Sequence, residues 1–168
     1  MSLDVASGVS FTARGIPMPK GSTTRMPNGI HVPAGTAESR RKMQQWRDDI
    51  RAVAKSTMGE RPPYAGAIRL FCEFALPVPK SMPKSKQGWW PHTTKPDVDK
   101  LFRALSDALT GIAWVDDSQV CVSAINKVYA WDGCTGASVS IEVIEHDAAQ
   151  RFAEQSQRLR EILRREET

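Results

Sequence analysis

Between Val98 and Ile112 the apolar residues Val98, Leu101, Phe102, Leu105, Ala108, Leu109 and Ile112 recur three and four apart. That is the period of an α-helix with one buried face. Pro96 and Asp97 suit its start and Gly111 suits its C-terminal cap. A helix so apolar on one side needs a layer to pack on, and strand-like runs flank it. Ala67–Leu76 places Ile68, Leu70, Cys72 and Phe74 on one face, and Val120–Ala130 follows the helix. The segment therefore asks for a sheet with a helix laid across it.

The rest of the chain extends this pattern. Val9–Ala13 alternates as a first strand, and Gly15–Gly35 is irregular and rich in Gly and Pro, a surface loop. Glu38–Met58 has helical spacing at Met43, Trp46, Ile50, Val53, Ala54 and Met58, with Arg40, Arg41, Arg47, Arg51 and Lys55 on its other face. Arg61-Pro62-Pro63 ends that helix. Ala137–Ile144 reads as a last strand, expected to form a hairpin with Val120–Ala130 through the turn at Asp132-Gly133. Ala148–Glu167 is a charged helix with a thin stripe of Phe152, Leu159, Ile162 and Leu163. The expected fold is α+β: a small mixed sheet in β-α-β-α-β-β order, two packed helices and an appended C-terminal helix. With 168 residues, the prior is one domain, here residues 1–146, followed by the terminal helix at 147–168.

No stretch reaches the length of a membrane span, and no basic region precedes an apolar one at the N-terminus, so a cytoplasmic protein without a membrane partner is expected. The three cysteines Cys72, Cys121 and Cys134 have no C-x-x-C spacing and read as reduced thiols, with Cys72 and Cys121 as buried small hydrophobes. His31, His92 and His146 show no ligand spacing.

Charge is unevenly placed. The chain carries a net +4, yet Lys95–Val120 holds five aspartates: Asp97, Asp99, Asp107, Asp116 and Asp117. Taken singly, each has an ordinary explanation as a helix cap, a dipole partner or a turn residue. Together they are harder to explain. The helix spans roughly 21 Å at 1.5 Å per residue, so Asp117 has to come back along a turn and strand to approach Asp97. If it does, three or four carboxylates converge, and a hard divalent cation, Mg²⁺ or Mn²⁺, relieves their repulsion. Arg103 lies four residues after Asp99 on the polar side. Asp107 reads as scaffold, paired with Lys100 or Arg103. Just upstream, Pro77–Pro96 holds five prolines, four lysines and no acid. A carboxylate cluster beside basic loops fits a phosphodiester, with metal on the scissile phosphate and lysines along the backbone.

The stretch KPDVDKLFRALSDALTGIAWVDDSQV resembles the signature of the RusA family of Holliday junction resolvases. It has Pro-Asp-x-Asp at a helix start, a basic residue four further on, Asp-Ala-Leu near the helix end, and Asp-Asp-x-Gln before a strand. Pro19-Lys20, Leu76–Ser81 and Lys127-Val128-Tyr129 agree as flanks. The resemblance implies a homodimeric, Mg²⁺-dependent endodeoxyribonuclease that resolves four-way or other branched DNA by paired symmetric nicks, in recombination and repair. Bacteriophages and prophages are frequent sources of such proteins. It implies Asp97, Asp99 and Asp117 as catalytic metal ligands and Asp116 as a neighbouring metal-site acid. Arg103 stands where the family has a catalytic lysine, and Lys100 where asparagine is usual. Arginine keeps the charge but cannot give up a proton, so electrostatic stabilisation is the role left to it. Lys20, Arg25, Lys80, Lys84, Lys86, Lys95, Lys100 and Lys127 are then the expected DNA-binding residues.

Two rival functions follow from the same residues. One is a non-catalytic protein that binds branched DNA. The other is a sugar-nucleotide transferase using Asp-x-Asp, which the lack of a strand with a Gly-rich turn disfavours. Trp89 and Trp90 have two open readings, packing on a dimer partner or stacking on bases, and packing is the commoner use.

Overall fold

The computed structural model describes residues 8–21, 23–25, 31–33, 35–86, 88, 90–145, 150 and 153–157. Its elements in chain order are β1 (Gly8–Arg14), β2 (Thr23–Arg25), β3 (His31–Pro33), α1 (Ala37–Met58), β4 (Ile68–Leu76), α2 (Val98–Leu109), β5 (Val120–Tyr129) and β6 (Gly136–Val143). Single 3₁₀ turns at Lys84–Lys86 and Asp117–Gln119 lie between them. The expected α+β class is found, with a four-stranded mixed sheet ordered β1-β6-β4-β5.

α1 begins at a cap, where the Thr36 hydroxyl accepts from the Ser39 amide. It buries Trp46, Ile50, Ala54 and Met58. α2 buries Leu101, Ala104, Leu105, Ala108 and Leu109, while Val98 stays 37% exposed at its first turn. Against these helices β4 sets Ile68, Leu70, Cys72, Phe74 and Leu76, the alternation read in the sequence. The opposite face of the sheet carries the exposed Phe71 among small and polar side chains, some of which bond across strands. Ser10 donates to Ser140 (2.9 Å) and Asn126 to Glu73 (2.8 Å).

Three expectations are corrected. Residues 15–35 contain a two-stranded ribbon, β2 against β3, pairing Thr24 with Val32. Three-residue strands are too short to show a period. Second, β5 and β6 do not form a hairpin. β5 runs parallel to β4, β6 runs antiparallel to β4 on its other side, and β6 also pairs with β1. The turn residues after β5 cross the end of β4, where the Ala130 amide donates to the Leu76 carbonyl (2.8 Å). Asp132-Gly133 is a turn in a crossover, a difference that local turn chemistry does not encode. Third, Cys121 is exposed: the register of β5 against β4 shifts here, with Ile68 opposite Val120 and Arg69 opposite Val122, so Cys121 falls out of the ladder. Of the C-terminal helix, residues 153–157 are helical, and Phe152, Leu159, Ile162 and Leu163 lie outside the described residues.

Candidate active site

β4, α2 and β5 form a strand–helix–strand unit at one edge of the sheet, and the acidic residues sit at its connections. α2 presents Asp99, Phe102, Arg103 and Ser106, spaced i, i+3, i+4 and i+7, to a groove whose other wall is Asp117, Val120 and Ser123. The groove has a volume of about 340 Å³. Asp99, Arg103 and Asp117 are exposed along it. Asp117 comes back toward the helix and lines the same groove as Asp99 and Arg103, while Asp97, the acid it was expected to approach, does not line it.

The turn that delivers Asp117 is firmly built. Trp114 is fully buried and its indole N–H donates to the Thr110 hydroxyl (3.2 Å). The Tyr64 amide donates to the Ala113 carbonyl (2.9 Å). Gln119 uses both ends of its side-chain amide. Its Oε1 accepts from the Val115 and Asp116 amides (2.9 and 2.8 Å), and its Nε2 donates to the Tyr64 and Gly66 carbonyls (3.0 and 2.8 Å). Four bonds from one side chain register the turn against the start of β4.

Asp116 has a different job from Asp117. It caps the 3₁₀ turn, accepting from the Ser118 amide at 2.8 Å. Hydrogen bonds from Ser118 hold its carboxyl below the usual carboxylate range. Asp116 is exposed beside Asp117, and unlike Asp117 it does not line the groove.

Asp97 is the N-cap of α2 by backbone conformation, but its side chain makes no capping bond. Its carboxylate instead pairs with the Lys100 ammonium at 3.2 Å. It lines a neighbouring cavity of about 520 Å³ with His92, Thr94, Lys95, Pro96 and Lys100. Among the described residues, no three His, Cys, Asp or Glu side chains stand close enough to hold a metal between them. Two carboxylates on one groove nevertheless fit Mg²⁺, which keeps several waters and takes one or two protein carboxylates plus phosphate oxygens.

The expected DNA-binding residues separate into groups. Lys80, Lys84, Lys86 and Lys95 are exposed on the long loop. Lys20 is tied to α2: its amide donates to the Lys100 carbonyl (2.9 Å) and its ammonium pairs with Asp107 at 2.6 Å. Asp107 is thus scaffold as expected, with Lys20 as its partner in place of Lys100 or Arg103. The backbone of Arg25 lies in β2, and its side chain lies outside the described residues, as does that of Trp89. Lys127 donates to the Thr94 and Pro96 carbonyls (2.6 and 2.7 Å). Trp90 is 60% exposed. Gln119 and Lys127 are the structural supports that sequence reasoning passed over as such. Gln119 stood inside the quoted signature, but a glutamine's partners across the fold leave no local trace.

A family model described as "Endodeoxyribonuclease RusA" matches residues 19–142, and the chain belongs to that family, whose activity is that of Holliday junction resolvases. It is also similar to the uncharacterised protein YqaN of Bacillus subtilis (strain 168), at 29% identity over 133 residues, covering 73% of this chain and 88% of that protein.

Proposed function

We propose that the chain is a Mg²⁺-dependent, structure-specific endodeoxyribonuclease that resolves Holliday junctions by paired symmetric nicks, in recombination and repair. The observation that carries this reading is the groove in which Asp99 and Arg103 of α2 face Asp117 from the start of β5. Asp99 and Asp117 would hold the cation, with Asp97 adjacent once released from Lys100; Mn²⁺ suits the same oxygen donors. Bound there, the ion supplies charge neutralisation at the phosphate and a water of lowered pKa. Arg103 presents a fixed, always protonated fork to phosphate oxygens and stabilises charge that grows on them. The exposed lysines of the long loop hold the flanking backbone. Two nicks on opposing strands call for two such grooves related by a two-fold axis, so the working form is a homodimer. Among the described residues no helix is long and apolar enough to cross a membrane, in keeping with work on DNA in a bacterial cytoplasm. A phage or prophage origin is part of the same reading.

The test is cleavage of a synthetic four-way junction with Mg²⁺ by wild type, Asp99→Asn and Asp117→Asn. Paired nicks are expected, falling by on the order of 10²–10³-fold in either variant, the size seen when one preorganised electrostatic group is lost. The second reading, a binder of branched DNA that does not cut, draws on the Asp97–Lys100 ion pair, which occupies one of the acids. Tight junction binding without nicks from the wild type would establish it.

A further inference from the structure

We infer that Lys127 is a positioning residue for the acidic site, acting through the segment that delivers Asp97 to α2, and that it is not a phosphate contact. The inference rests on the nuclease reading above. Three bonds carry it. The Lys127 carbonyl accepts from the His92 amide (3.1 Å), and its ammonium donates to the Thr94 carbonyl (2.6 Å) and the Pro96 carbonyl (2.7 Å). One residue of β5 therefore grips three alternate residues of the incoming strand of chain, 92, 94 and 96. The neighbouring Tyr129 amide donates to the Trp90 carbonyl (2.8 Å) and continues the seam.

The grip ends on the residue before Asp97. Asp97 makes no side-chain capping bond, and its carboxylate reaches the helix only through the half-exposed ion pair with Lys100, so the direction in which its side chain leaves the main chain is set by the approaching backbone. Its direction follows from the backbone of residues 94–96, and the Lys127 ammonium holds the carbonyls at both ends of that stretch. An ionised donor gives short, strong bonds of this kind. Lys127 is only part-exposed, and it shares the helix-side parity of β5 with Ser123, a wall of the groove. Two of its three N–H donors are thus committed to the protein. Lys127→Met keeps the stem and removes the grip, leaving two carbonyls without this partner and Asp97 free to turn away.

The test separates the two roles of a lysine. Four-way junction affinity is measured without metal across a salt series, and Mn²⁺ binding is measured by calorimetry without DNA, for wild type, Lys127→Met and Lys127→Arg. Expected for Lys127→Met are an unchanged salt slope, a Mn²⁺ affinity lower by roughly 10–100-fold, as when an outer-shell support is lost, and a fall in kcat with KM unchanged. Lys127→Arg, which retains charge and two donors, restores part of the Mn²⁺ affinity. A salt slope shallower by about 0.9 with full Mn²⁺ affinity makes Lys127 a phosphate contact and overturns the inference. So does an unchanged Mn²⁺ affinity at an unchanged slope. Should Lys127→Met fail to fold, Lys127→Gln, whose shorter amide cannot bridge the Thr94 and Pro96 carbonyls, decides in its place. A weakened Mn²⁺ affinity at an unchanged slope supports positioning, and wild-type values throughout refute it. A wild type that binds junction but no Mn²⁺ overturns the inference and the metal-dependent reading together.

Discussion

Single residues of one chemical type do different work in this chain. Asp116 and Asp117 are neighbours, yet one closes a turn and the other faces the groove. The cysteines diverge in the same way. Cys72 is buried among β4 core residues, and burial pushes its thiol up to about 12, whereas Cys121 and Cys134 are exposed. A disulfide reagent at pH 8 is expected to label two thiols rapidly in the native protein and the third only on unfolding, because the thiolate is the reacting form. Rapid labelling of all three would contradict the packing of β4.

At the scale of elements, close approach sets limits that composition does not reveal. A Cβ at Gly136 would collide with the Ala13 backbone carbonyl, where β6 begins to pair with β1. Gly136→Ala is expected to cost about 1–3 kcal/mol, as overpacking does, read as a lower midpoint in urea with an unchanged slope. The helices and the β4 face were legible in the sequence because their apolar residues repeat with a period. The order of strands was not. β5 and β6 each carry a strand pattern, but pairing partners depend on where the α2 crossover deposits β5, and that is a property of the whole sheet. The site was legible in part for the same reason. Asp99 and Arg103 share a helix face by spacing alone, while the return of Asp117 depends also on Tyr64 and Gly66, which are far in sequence from the Ala113 and Gln119 they bond.

For the molecule as a whole, acid stability turns on the same seam that supports the site. His92 is buried, with its ring 4.5 Å from that of Tyr129. Burial first, and then the Lys127 ammonium, lower its pKa from the ordinary imidazole value. The folded protein therefore refuses a proton that the unfolded chain accepts below about pH 6.5. Its contribution to stability is full above that pH and is lost as the pH falls from there toward the lowered value. Melting temperatures measured between pH 7.5 and 5.5 should drop on the acid side, and His92→Gln should flatten that drop. An equal slope in the variant would place the titration elsewhere.

The parallel ladder between β4 and β5 runs from Ile68–Val120 to Leu76–Tyr129. Gln119 stands at one end and Lys127 near the other, so this strand acts as a ruler between two anchoring points. Chain length can then vary in the first part of the lysine-bearing loop, ahead of Trp90, without disturbing either anchor, whereas residues 90–96 are held by Tyr129 and Lys127. One residue inserted between Gln119 and Lys127 would turn the side chains beyond it to the opposite face of the sheet. Lys127 would then point away from the Thr94 and Pro96 carbonyls while Gln119 stayed in place. Insertions and deletions tolerated by this protein should accordingly fall between β4 and Trp90 and be excluded from β5.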